Sequence, residues 1–180
     1  YLHSDSAKFI TLTYNDLHIP RTKEGYPTLN KKHVQLYIKR LRNKQNKYVS
    51  KRLGCTIKEV LKYTRPLRYY AVGEYGSKTR RPHYHVLLFN LENEISDSIT
   101  TEWRDKANYS LGFTDIGEVN ATTINYTTKY MFKTWMKKDK RTRPFSLMSK
   151  GRKQTEAKKL EGYPEYRILG FEYLKDYGTF

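Results

Sequence analysis

Two imidazoles separated by one residue, in His83-Tyr84-His85, are the strongest chemical signal in this chain. The apolar run Val86-Leu87-Leu88-Phe89 follows directly, so the pair reads as the start of a β-strand. Residues two apart on a strand project from the same face, which sets both rings side by side on a rigid support. A divalent metal needs such a support and a third ligand, and Glu74 is positioned to supply it. Residues 68–75 read as a second strand, and a four-residue turn at 77–80 pairs Gly76 with Arg81. Glu74 then falls opposite His83, or opposite His85 if the register shifts by two; either way the three side chains share a face. Two histidines and a carboxylate leave coordination positions open for water or phosphate. With no thiolate in the set, Mg2+ or Mn2+ is the expected ion. The plainer alternative is a pair of structural histidines at the edge of a core.

A second constellation lies downstream, in Tyr126-Thr-Thr-Lys129-Tyr130-Met-Phe-Lys133. On a helix, positions i and i+4 are neighbours, so Tyr126 and Tyr130 stand one above the other, and Lys133 and Lys137 continue the stripe. A phenol with an ordinary pKa of about 10 is a poor nucleophile at neutral pH. Ammonium groups nearby, here Lys129 and Lys133, favour the phenolate and offset charge on a phosphoryl transition state. Attack by Tyr126 or Tyr130 on a phosphodiester would conserve the bond energy in a covalent phosphotyrosine. Simple packing of two tyrosines is the plainer reading, since Ile124, Met131 and Trp135 form the more obvious core stripe of the same helix.

These residues must be held by their surroundings. Residues 8–14 (KFITLTY) read as a strand and residues 15–29 as a loop. Asn30 is placed to cap a helix running to about residue 48, with Val34, Tyr37, Ile38 and Leu41 on its buried side. The rest of that helix is Lys, Arg, Asn and Gln, either a solvated face or a track for phosphates. A short helix is expected at 56–63 and a longer one at 95–107, with a strand at 113–119. The tyrosine helix should span 122–137, with Asn120, Thr122 or Thr123 as cap. The strand at 83–90 is apolar on both alternating faces and should be central. From residue 138 the chain is basic and less regular, with helices expected near 154–160 and 171–177. The pattern predicts an α+β fold in a single domain over 1–180, with a core at about 8–137 and a basic extension at 138–180.

Bulk composition points to the partner. Lys and Arg number 35 against 18 acidic residues, a formal charge of +17, for which a polyanion is the economical explanation. The 17 Tyr, 7 Phe and 2 Trp argue against disorder, and rings interleaved with cations suit a single strand whose bases stack while its phosphates meet charge. Cations flanking the two constellations, Arg80, Arg81, Lys137, Lys138, Arg141 and Arg143, are the expected DNA contacts. The single cysteine, Cys55, excludes an internal disulfide and a Cys-based zinc site. No apolar run approaches the ~18 residues of a membrane span, so no membrane association is expected. The chain opens on Tyr1 rather than Met, as a domain trimmed from a longer protein would.

Taken in order, Phe9-Ile-Thr-Leu-Thr-Tyr14, Arg81-Pro-His-Tyr-His85 and the Tyr126–Lys133 segment resemble the three motifs of the HUH endonuclease superfamily. Gly73-Glu-Tyr-Gly76 and Pro144-Phe-Ser-Leu-Met-Ser149 make the chain similar to replication initiators of the microvirus group, gokushovirus type. The resemblance implies a central antiparallel sheet flanked by helices, with a ferredoxin-like or RRM-like core, and a divalent metal on the histidines. It implies a nick that leaves 5′-phosphotyrosine and a free 3′-OH, with Tyr126 as first nucleophile and Tyr130 as second. The implied setting is rolling-circle replication in the cytoplasm of an infected bacterium. An origin single strand, linear or folded as a hairpin, would be the substrate, and a host helicase a candidate partner. Thr11 and Thr13, on the first motif, would have a supporting role. Two departures stand out: Tyr84 occupies the middle position of the histidine motif, and residues 151–167 read as a charged insertion. A mobilisation relaxase or single-strand transposase shares this chemistry, whereas a non-catalytic nucleic-acid-binding protein would leave His83, His85 and Glu74 unexplained.

Overall fold

In a computed structural model, residues 4–129 and 139–149 are described, and they form one antiparallel sheet with helices on both faces. The strands are β1 (Ala7–Thr13), β2 (Arg68–Tyr75), β3 (Pro82–Phe89), β4 (Thr114–Gly117) and β5 (Phe145–Met148). Their order is β4-β1-β3-β2-β5, with every neighbouring pair antiparallel. The first four strands have the ferredoxin-like order, in which β3 is inserted between β1 and β2. As its two apolar faces require, β3 is central.

The helices are α1 (Lys31–Leu53), α2 (Val60–Tyr63), α3 (Ser98–Thr101) and α4 (Ala121–Lys129). Asn30 caps α1 as expected, its side chain accepting from the Lys32 amide at 3.0 Å. The helix runs past residue 48 and stops at Gly54, whose left-handed φ of 61° suits a residue without a Cβ. Val34, Tyr37, Ile38 and Leu41 of α1 pack on Ile10, Leu12, Tyr84, Val86 and Leu88. The intervening strand residues point the other way, where Leu87 packs with Val119 and Ile124 at the α4 end of the chain. Strand alternation thus gives the sheet two different faces, a hydrophobic one under α1 and one partly covered by α4.

Two expectations need correction. The helix expected at 95–107 is only a 3-10 turn at Asn93–Ile95 and the single turn of α3. Trp103 is drawn into the core instead, against the rings of Tyr14, Tyr37 and Tyr84, with its indole N–H donating to the Thr13 carbonyl at 2.8 Å. Burial of so large a ring outweighs local helix propensity. Residues 145–148, taken as irregular, form the edge strand β5. Docking against β2 decides that assignment, because so short a segment carries little periodicity of its own. The expected helices at 154–160 and 171–177, and α4 beyond Lys129, lie outside the described residues.

Candidate metal centre

The turn between β2 and β3 closes with the Gly76 amide donating to the Arg81 carbonyl at 3.0 Å. That pairing sets Glu74 directly opposite His83 and Val72 opposite His85, the first of the two registers considered. On the other side of β3, Thr11 stands opposite His85 and Thr13 opposite His83. Side chains of directly paired residues share a face, so His83, His85, Glu74, Thr11 and Thr13 all project from the face opposite α1.

On that face the three ligand-type side chains converge, one donor atom from each lying within 4.8 Å of the others. Glu74 Oε1 is 2.8 Å from His83 Nε2 and 3.2 Å from His85 Nε2. Both rings are held from behind. His83 Nδ1 lies 3.2 Å from the Arg81 carbonyl, and His85 Nδ1 lies 3.2 Å from the Thr11 hydroxyl. Phe9 stacks on His85 at a centroid distance of 5.4 Å. A carbonyl can only accept, so His83 Nδ1 carries a proton and the neutral ring turns a lone pair toward the carboxylate. Two acceptors facing each other call for a cation between them, either a proton or a metal. The nitrogen and oxygen donors, with outer partners fixing the rings, fit a hard or borderline divalent ion.

Electrostatics at Glu74 agree. The residue is only 4% exposed, and burial alone would raise its carboxyl pKa. Hydrogen bonds from His83 and His85, and their charge, outweigh that and hold it down to about 2. Tyr84, between the two histidines, points into the α1 side. Its hydroxyl accepts from the Asn30 amide at 2.7 Å and lies 2.8 Å from the Tyr14 hydroxyl. Burial pushes its phenol up to about 12. The departure at this position therefore anchors the loop before α1 and leaves the histidine face untouched.

Tyr126 comes to the same place from α4. Asn120 caps this helix in a reciprocal box with Thr123, each side chain receiving the other's amide at 2.9 Å. Ile124, Thr127 and Thr128 are buried beneath it, while Tyr126 is 42% exposed. The Tyr126 hydroxyl lies 3.4 Å from Glu74 Oε1, and its ring meets His85 edge-on at 5.0 Å. Lys129 ends the described part of α4, whereas Tyr130, Lys133, Lys137 and Lys138 lie outside the described residues. Arg81 is engaged with Asp16 at 2.7 Å and the Tyr14 carbonyl at 2.6 Å. Asp139 clasps Arg141, which also covers the Tyr75 ring at 4.8 Å. Both cations brace loops at this end of the sheet, whereas Arg80 and Arg143 are exposed. Sequence reasoning missed the roles of Phe9 and the Arg81 carbonyl. Phe9 was findable, because it lies two residues before Thr11 and so shares its face.

A family model for the phage replication-associated protein ORF2 matches residues 7–135. The chain is 34% identical over 134 residues to "Replication-associated protein ORF2" of Spiroplasma virus 4, covering 69% of this chain and 38% of that protein. It is 32% identical over 138 residues to "Replication-associated protein VP4" of Bdellovibrio phage phiMH2K, covering 72% of this chain and 39% of that one. A third relative, "Replication-associated protein ORF4" of Chlamydia phage 1, is 26% identical over 144 residues, 73% of this chain and 31% of its own length. The chain thus spans less than two fifths of the length of each of these relatives. No solved structure matches. The matched residues include both strands and the helix that build the centre, and on that match the chain belongs to the replication-associated protein ORF2 family.

Proposed function

We propose that this chain takes part in phage DNA replication as a metal-dependent endonuclease and ligase that nicks an origin single strand through Tyr126. The observation that carries the reading is the arrival of the Tyr126 hydroxyl, from a separate helix, 3.4 Å from a carboxylate already shared by two imidazoles. A half-exposed phenol beside a cluster of ligand-type side chains has little reason to be there for packing alone. The names of the relatives, all replication-associated proteins of small phages, support the biological setting.

His83, His85 and Glu74 would hold a divalent ion, Mg2+ or Mn2+, whose chemistry is to withdraw charge from a phosphate oxygen. The chain's own residues do the rest. The Arg81 carbonyl and Thr11 fix the two rings, and α4 presents the phenol to a phosphate seated over the triad. Tyr126 Oη forms a bond to phosphorus as the bond from phosphorus to the 3′ oxygen breaks. In net terms the phenol proton goes to the departing 3′ oxygen, leaving a 5′-phosphotyrosine and a free 3′-OH. Lys129 and Lys133 would favour the phenolate. Tyr130 would serve as second nucleophile, and Arg80, Arg143, Lys137 and Lys138 would meet the flanking phosphates. Reversal of the step, with a 3′-OH attacking the phosphotyrosine, restores the strand and accounts for termination.

The test is denaturant-stable adduct formation. Labelled single strands tiled across the encoding genome are incubated with the protein and Mn2+, then run on a denaturing gel. One strand should become attached to the wild type and not to Tyr126→Phe, whereas Tyr130→Phe should form the adduct and fail in strand transfer. Wild-type levels of adduct in Tyr126→Phe would remove the nucleophile assignment, and no adduct in the wild type would remove the enzyme reading.

A further inference from the structure

We propose that the outer face of α1 is a docking surface for double-stranded DNA, separate from the metal centre. This goes beyond the nicking chemistry and does not depend on it. The 23 residues of α1 include no Asp or Glu. Some of its cations have partners within the protein: Arg40 and Lys44 reach Glu102, Arg52 pairs with Glu92, and Arg42 lies over Tyr69. Lys32, Lys39 and Lys47 do not; they are exposed and have no ion pair among the described residues. At 100° per residue the three fall within one narrow sector of the helix, on the side away from Val34, Ile38 and Leu41.

Their placement runs against stability. Lys31 and Lys32 occupy the first turn, where the partial positive charge of the helix N-terminus disfavours cations. Lys31 is compensated by the Phe145 ring at 5.8 Å, but Lys32 has no such contact in the described residues. A row of like charges that the fold does not neutralise points to a polyanion.

The chemistry of the row selects duplex over single strand. Surfaces that take single strands combine cations with exposed rings for base stacking. Between the lysines this face offers Gln35, Asn43 and Asn46, and no exposed aromatic residue. Amides and ammonium groups on a rigid rod suit phosphates held at fixed spacing. From a rise of 1.5 Å per residue, Lys32 and Lys39 are about 10 Å apart along the axis, and Lys39 and Lys47 about 12 Å. Those intervals are comparable to the major-groove width of about 12 Å, so neighbouring lysines can reach phosphates on its two sides. Because α1 covers the sheet face opposite His83 and His85, duplex could remain docked while a single strand occupies the metal face.

The test uses fluorescence anisotropy with a labelled 20-base-pair duplex and the matching single strand across a salt series. The triple variant Lys32→Gln, Lys39→Gln, Lys47→Gln is compared with an equal charge removal from exposed sites elsewhere, Lys23→Gln, Lys58→Gln, Lys106→Gln. Losing three phosphate contacts should weaken duplex binding about tenfold or more at 0.1 M salt and lower the salt slope by about 2 to 3. Single-strand affinity should stay within about threefold, and the control triple should resemble wild type in duplex affinity and slope. The proposal is overturned if the α1 variant binds duplex normally, or if both triples lose duplex binding equally. Equal loss on single strand and duplex also overturns it, as does a loss confined to anionic phospholipid vesicles. All the substituted lysines are exposed, and unchanged thermal unfolding confirms that each variant is folded.

Discussion

Replacing Glu74 by Gln separates charge from shape at the centre, because the amide keeps the carbonyl oxygen and nearly the same volume. In the native protein one carboxylate oxygen lies 2.8 Å from His83 Nε2 and 3.2 Å from His85 Nε2, in a side chain almost wholly buried. Two opposite unit charges about 4 Å apart attract by about 4 kcal/mol at an effective dielectric of 20, and a divalent ion doubles that. The amide dipole and entering water return much of the loss, which leaves about 3 kcal/mol. At 1.4 kcal/mol per decade this is a factor of on the order of 100 in Kd for Mn2+. Titration calorimetry measures it directly, with free Mn2+ followed by electron paramagnetic resonance as an independent reading. Circular dichroism and thermal unfolding of the ion-free proteins confirm that the fold survives. An affinity within threefold of wild type, in a folded variant, would exclude Glu74 as a ligand and with it the claim that hairpin register builds the centre.

Three further outcomes follow from other parts of the molecule. A Cβ on Gly112 would lie 2.2 Å from the Thr13 carbonyl oxygen and 2.5 Å from the Asn15 nitrogen, backbone atoms at the end of β1 that cannot yield. Gly112→Ala should therefore lose about 3 kcal/mol or more in urea unfolding, against about 1 kcal/mol for Gly54→Ala, which has a left-handed φ but open space. Tyr84→Phe strips the Asn30 amide and the Tyr14 hydroxyl of a buried partner and should cost about 2 kcal/mol, while leaving Mn2+ affinity unchanged because the ring faces away from the centre. The Glu74 carboxyl titrates near 2 when folded and at its ordinary value of about 4.5 when unfolded, so its contribution is complete above about 4.5 and is lost as pH falls toward 2. Ion-free wild type should lose stability relative to Glu74→Gln through that window, and a constant difference between the two urea midpoints would contradict the assignment.

How much of this was legible beforehand depended on the range of the interaction. Local signals were sufficient for the Asn30 cap, the buried stripe of α1, the hairpin register and the common face of His83, His85 and Glu74. Each follows from the 2.0 or 3.6 period of the backbone or from a turn a few residues long. The Tyr84 departure was likewise readable as facing away, because alternation alone decides it. The same local rules failed at residues 95–107, where a periodic pattern gave way to the burial of Trp103 among three tyrosine rings. They failed again at Phe145–Met148, a strand only because β2 has an edge to offer.

The sequence by itself therefore determined which residues could form a metal-binding set and that they would share one face of a sheet. It also determined that the protein carries a large excess of positive charge. Tertiary structure alone decided that Tyr126 lies over Glu74 and His85, since 52 residues separate the tyrosine from the carboxylate and no periodicity spans that interval. It also decided that the lysines of α1 lie on the far side of the sheet. The physical reason is common to both cases. Periodicity fixes the direction of a side chain relative to its own element, whereas contacts between elements are set by which apolar faces pack together.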